Sequence, residues 1–291
     1  MVRARLIGGI TIVSALACAP SARAQTDTLG YATSTPAWVG HFTTLSANAV
    51  LGGITGGIIQ ELRGGSFQDG FTRGALGGTI IYAGKWVAAR RFYGAGFLGR
   101  EVGAVGASVV RNASDGIGNF DRLILPAGFT RIYWNRASRN VSVKVDVYSA
   151  GMVAYGVLED ELDLDASASL SAGTFVFKTN NEVIVFGDAE NHAAGVSRAG
   201  IILRSDVPAW GDEFLDRAFA HERAHVLQDD QLFITLNDHL DDWLLSKAPA
   251  TRSISSRIDL NASSEFLRLL AKLIPRHADR PWELEAIYLT R

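Results

Sequence analysis

Leu51-Gly52-Gly53-Ile54-Thr55-Gly56-Gly57-Ile58 carries two glycine pairs, Gly52/Gly56 and Gly53/Gly57, each spaced by about one helical turn. Gly74/Gly78 and Gly99/Gly103 repeat the spacing. Residues four apart share a helical face, and a face made of glycine lets a neighbouring backbone come close. Each glycine costs roughly 1 kcal/mol in an exposed helix, so helices of this composition persist only when packed on one another. Thr43 to Asn112 therefore reads as a group of tightly packed Gly/Ala-rich helices.

The same glycines admit a membrane or envelope association through this region. Gln60, Glu61, Arg63, Lys85, Arg90 and Arg91 interrupt the apolar runs before they reach the roughly 20 residues a spanning helix needs, which favours soluble or surface-associated helices. Gly94-Ala95-Gly96-Phe97-Leu98-Gly99 matches a dinucleotide fingerprint in letters, and Gly84-Lys85 has a trace of a phosphate loop. The first follows Ala89-Arg90-Arg91-Phe92-Tyr93, which is no buried strand, and the second has Trp86 where a magnesium-holding hydroxyl belongs. Small residues for packing explain both.

From Leu123 to Asp206 the period falls to two. Val141, Val143, Val145 and Val147 alternate with Ser142, Lys144 and Asp146, and Leu162 and Leu164 with Asp163 and Asp165, each pattern predicting a strand with one buried face. Leu170 to Lys178 and Val183 to Phe186 are further strand candidates, with Asn180-Asn181 as a hairpin turn between them. A small antiparallel sheet, sandwich or open barrel is expected. His192, beside Asp188 and Glu190, reads as a solvated loop histidine.

After Pro208 the pattern is helical again. Asp212 and Glu213 suit a helix start with a run to about Gln228, Leu260 to Ile274 is a second amphipathic helix stopped by Pro275, and Pro281 opens a last one. The fold class is α+β: residues 25–120 Gly-rich and helical, 121–207 antiparallel β, 208–291 helical.

Residues 1–24 read as a cleavable signal peptide: Arg3 and Arg5 precede an apolar run from Leu6 to Ala19, and Ala22-Arg23-Ala24 supplies the small residues of a cleavage site. An exported protein of periplasm, envelope or extracellular space is expected. Cys18 is the only cysteine and would leave with that segment, so stability must come from a packed core. Loss of three arginines makes the net charge of −2 more negative, which argues against nucleic acid as a partner.

Chemistry concentrates in His221-Glu222-Arg223-Ala224-His225. Two histidines one turn apart on a helix can bind one zinc ion, and the glutamate next to the first can act as general base on a water that the ion acidifies. A catalytic zinc takes a third protein ligand and keeps a position open. Downstream, Pro281-Trp282-Glu283-Leu284-Glu285-Ala286 offers a glutamate at a helix start, followed on the same face by a small residue.

Together these two segments resemble the gluzincin class of zinc metallopeptidases, in which a helix bearing H-E-x-x-H packs against a later helix bearing E-x-x-A. The resemblance covers about residues 212–291. It implies one zinc ion held by His221, His225 and Glu283, with Glu285 as the fallback ligand, Glu222 as base, and a peptide or protein substrate. Arg223 stands where this class usually has no charge. Ile287 occupies the place where many members carry an aspartate that orients a ligand histidine, so that role passes to Asp229, Asp230 or Glu285. Tyr288, His239 and His277 are candidate donors to the oxyanion of a tetrahedral intermediate. The competing expectation is a noncatalytic envelope scaffold in which the motif is structural or degenerate.

Overall fold

The structure, a computed structural model, describes residues 36–159, 162–180, 183–184, 192–193, 195–198, 201–205, 212–237, 239, 257–259 and 281–290. The expected signal peptide and the expected helix over Leu260 to Ile274, together with Asn181 and His277, lie outside the described residues.

Three helices come first, α1 (Ala37–Leu62), α2 (Phe67–Ala88) and α3 (Ala95–Asp115). Ser66 caps α2 by accepting from the Asp69 amide, and Gly94 and Gly116, both left-handed at φ 83° and 70°, open and close α3. The glycines do what their spacing predicts. A Cβ on Gly52 would strike the Gly74 carbonyl, one on Gly56 the Gly70 carbonyl, and one on Gly78 the Asn48 carbonyl. On the other side of α2, Gly77 meets the Gly106 carbonyl and Gly84 meets Gly99 and Gly103. Both pairings run antiparallel, so α2 lies between α1 and α3. Gly96 and Gly99 of the fingerprint-like letters lie under Ala172 and Ala88, which is a packing role.

With glycine on the inner faces, large side chains turn outward. α1 buries Gly40, Thr44, Asn48, Gly52, Gly53, Gly56, Gly57 and Gln60, while Trp38 is 71% and Phe42 66% exposed. The helix starts at Ala37, ahead of the glycine pattern, so its apolar run reaches Gln60 at spanning length, contrary to the expectation from sequence. Among the described residues it is the one helix long and apolar enough to cross a membrane by length and composition.

Most strand pairings are antiparallel, as expected, but two are parallel and the strands form separate sheets rather than a barrel. β1 (Arg122–Ala127), β2 (Thr130–Asn135) and β3 (Asn140–Asp146) make a meander, and β10 (Ile258–Asp259) adds in parallel to β3. The second sheet has the order β4 (Asp163–Leu164), β5 (Val176–Thr179), β9 (Ile201–Ser205), β8 (Gly195–Arg198), with β5 and β9 parallel. β6 (Val183–Ile184) pairs with β7 (His192–Ala193), so His192 sits in a short strand and not a loop. β5 has β4 and β9 as neighbours, so it forms no hairpin with β6.

Local capping explains two further differences. Val147 is not the end of β3: the Asp146 carboxylate accepts from the Ser149 amide at 3.0 Å and starts α4 (Val147–Leu158). Likewise the Asp165 carboxylate accepts from the Ala168 amide at 2.9 Å, so Leu170 lies in α5 (Ala166–Ala172) and not in a strand. Val141 and Val143 are 58% and 53% exposed. The meander is anchored on α3 through β1, where Ile124 is buried and its amide donates to Ser108 Oγ at 2.9 Å, and no described element covers the outer half of β3.

α6 (Asp212–Leu232) is the central helix. It continues past Gln228 and ends in a π-helical segment, Phe233–Asn237. Val226 packs with Ala168, Ala172, Val176 and Ile202, whereas Phe233 and Ile234 pack with Ile81, Ala104, Ala107, Val110 and Ile124. Ala224 joins Ala89 and, from α7 (Pro281–Leu289), Ala286 and Leu289. Asp230 pins the helix: its carboxylate accepts from Arg100 Nε at 2.5 Å and lies 3.3 Å from Arg131 Nη2, all three side chains being buried.

The close approaches give a test by sign. Gly151 in α4 has nothing within 4 Å of an added Cβ, so Gly151→Ala should stabilise by about 0.5–1 kcal/mol. Gly78→Ala should instead destabilise by about 1–3 kcal/mol, the cost of overpacking. Denaturant unfolding checks both, and a stabilised Gly78→Ala would contradict the packing described.

Candidate metal centre

α6 and α7 bring His221, His225 and Glu283 together. His225 Nε2 lies 3.0 Å from His221 Nε2, and the two nitrogens lie 3.2 and 3.1 Å from Glu283 Oε2. Among the described residues these three form the one group of His, Cys, Asp or Glu side chains able to share an ion. The local causes are simple. One helical turn separates the histidines, whose rings meet edge to face at 4.6 Å. Pro281 at the first position of α7 puts Glu283 in its first turn, and the Ala224 and Ala286 contact lets the two helices approach.

The group fits zinc. Ligand bonds of about 2.0–2.1 Å in a tetrahedron place donor atoms about 3.3 Å apart, close to the triangle seen here. Two imidazoles and a carboxylate are a donor set zinc takes in hydrolases. Both histidine side chains keep 14% exposure and that of Glu283 6%.

His225 Nδ1 lies 2.7 Å from Gln228 Oε1. An amide oxygen only accepts, so Nδ1 carries a proton and Nε2 is left to face the triangle. Gln228 thus stands against His225 where the sequence pointed to Asp229, Asp230 or Glu285. Its signal was available: three residues after His225, it shares that helix face. Asp230 is occupied by Arg100 and Arg131. Glu285 accepts from Gln228 Nε2 at 2.7 Å and pairs with Lys85 at 2.8 Å, which keeps it out of the ligand triangle. Lys85, Asn48 and Gln228 all donate to Glu285, and although burial raises its pKa, Lys85 and these hydrogen bonds bring it below the ordinary value.

The other sequence candidates fall elsewhere. Tyr288 lays its ring on Gly40 of α1. His239 Nδ1 is 2.9 Å from Arg63 Nη2, near Asp115, which Arg63, Arg111 and Arg122 surround. Arg223 leaves the site: its Nη2 donates to the Arg90 carbonyl at 3.0 Å, and burial lowers its pKa to about 10. Glu222 is buried beside the pair, near enough for its charge to favour a cationic His225.

Burial disfavours a charged His225, but the Glu283 charge and hydrogen bond, with Glu222 and Gln228, outweigh it and raise the group to about 10. Burial likewise opposes a charged Glu283, and the two histidines outweigh it and hold that carboxyl well below its usual range. Comparison with family models, curated proteins and solved structures returned no match for this chain.

A raised His225 pKa makes ion binding compete with protonation. Because Glu283 holds the His225 pKa above its ordinary value, a divalent ion bound near neutral pH must displace a proton from it. Zinc affinity should rise about tenfold per pH unit between pH 6 and 8. Competition with a chelator at several pH values measures it, and an affinity independent of pH would contradict the coupling.

Proposed function

We propose that this chain is an exported zinc-dependent hydrolase, a metallopeptidase of the gluzincin type acting on peptide or protein substrate. The observation that carries the reading is the triangle of His221, His225 and Glu283 donor atoms with sides of 3.0–3.2 Å, on two helices whose sequence motifs resemble that class. Export rests on residues 1–24 as a signal peptide.

His221, His225 and Glu283 would hold the ion. When bound, zinc supplies a Lewis acid that lowers the pKa of a water towards about 7 and polarises a carbonyl. Gln228 keeps His225 in the tautomer that presents Nε2. Glu222, adjacent to His221 on α6 and buried, takes the proton from the attacking water on its carboxylate and delivers it to the leaving amine. Arg223 contributes packing on Arg90 and Phe219, which explains how a charge is tolerated inside the motif.

Glu222→Gln separates binding from turnover. The variant should retain zinc and lose about 10²–10⁴-fold in kcat on an unstructured protein substrate. A variant as active as wild type would remove Glu222 as base. Zinc-loaded wild type without hydrolysis would favour the noncatalytic envelope scaffold.

A further inference from the structure

Lys85 is 2% exposed in the middle of a glycine-rich helix bundle. A buried ammonium costs several kcal/mol unless it is paired and hydrogen-bonded. Its three donors are all used: Nζ donates to Asn48 Oδ1 at 2.9 Å and to Glu285 Oε1 and Oε2 at 3.0 and 2.8 Å. Asn48 Nδ2 donates to the same carboxylate, at 2.6 Å from Oε1, and to the Thr44 carbonyl at 2.9 Å. Glu285 is thereby fixed from α1 and α2 at once.

We infer that Lys85 and Asn48 are positioning residues for the metal centre, acting through Glu285 and Gln228 on His225. The inference rests on the reading of His221, His225 and Glu283 as metal ligands. A glutamine amide can sit either way round, and its surroundings decide. Gln228 Nε2 faces two acceptors, Glu285 Oε2 at 2.7 Å and the Trp282 carbonyl at 3.0 Å, which use both of its hydrogens. Oε1 must then face His225 Nδ1, so Nδ1 donates and Nε2 offers its lone pair to the ion. An anionic Glu285 makes this orientation one-sided, and Lys85 with Asn48 keeps that anion in place. The glycine-rich bundle thus supports the site. The bundle geometry is required for it, because the Gly78 face that admits the Asn48 backbone sets the distance between α1 and α2.

A merely structural role is the rival: Lys85 and Glu285 could do no more than tie α2 to α7. Removing Lys85 alone would strand a buried carboxylate, so the variant Lys85→Met/Glu285→Gln takes away both charges together. Gln228→Leu cuts the connection while leaving the ion pair intact. Zinc affinity by chelator competition, the visible spectrum of the cobalt-loaded protein and thermal unfolding of the metal-free protein are read for each and for the triple variant.

Each should bind zinc about 10–100-fold more weakly with an altered cobalt spectrum. The triple variant should be no weaker than Gln228→Leu, because both changes act along one path. Unchanged affinity in Gln228→Leu, or losses that simply add, would overturn the positioning role while leaving the ligands standing. Wild type that takes up no zinc would overturn the ligand reading and this inference with it.

Discussion

The distance between the backbones of α1, α2 and α3 is set by glycine, and the placement of the polar groups around the candidate metal centre follows from it. A Cβ at Gly52, Gly56, Gly74 or Gly78 would collide with the facing backbone. At this separation Asn48 and Lys85 reach one carboxylate on α7 from two different helices. The same constraint fills the inner faces with small and polar residues and sends Trp38, Phe42 and Trp86 outward. Helices so poor in intrinsic stability hold together through contact with each other.

α6 converts that support into a site. Asp230, held by Arg100 of α3 and Arg131 of β2, fixes the rotation of the helix, and Arg131 also lies over the Phe233 ring at 4.5 Å and bonds Asp146 at 3.3 Å. With that face committed to the core, His221, His225 and Gln228 are presented to α7. Breaking one member of such a network leaves buried charge uncompensated, a cost of about 3–5 kcal/mol. The placement of the histidine pair and the stability of the fold therefore share the same residues.

Much of the α+β organisation was legible because glycine spacing and period-two alternation are local signals. That His221, His225 and Glu283 would come together was legible because one helical turn separates the two histidines and Pro281 fixes the turn that holds Glu283. Other features depended on capping or on distant partners. Asp146 and Asp165 start helices α4 and α5 within stretches whose alternation reads as strand, and β9 and β10 reach their parallel partners from far along the chain. Exposed Val141 and Val143 show that alternation reports two faces without saying which is covered. Lys85 read as an interruption of an apolar run. A lone charge inside a glycine-rich helix instead asks for a partner, and the partner is 200 residues away. Gln228 was passed over for its acidic neighbours although its spacing from His225 pointed to it.

The most direct measurement is the anomalous scattering of zinc in crystals of the zinc-loaded protein. One peak about 2.0–2.1 Å from His221 Nε2, His225 Nε2 and a Glu283 oxygen is expected. A peak elsewhere, or none at this triangle after saturation with zinc, would contradict the assignment of the metal centre.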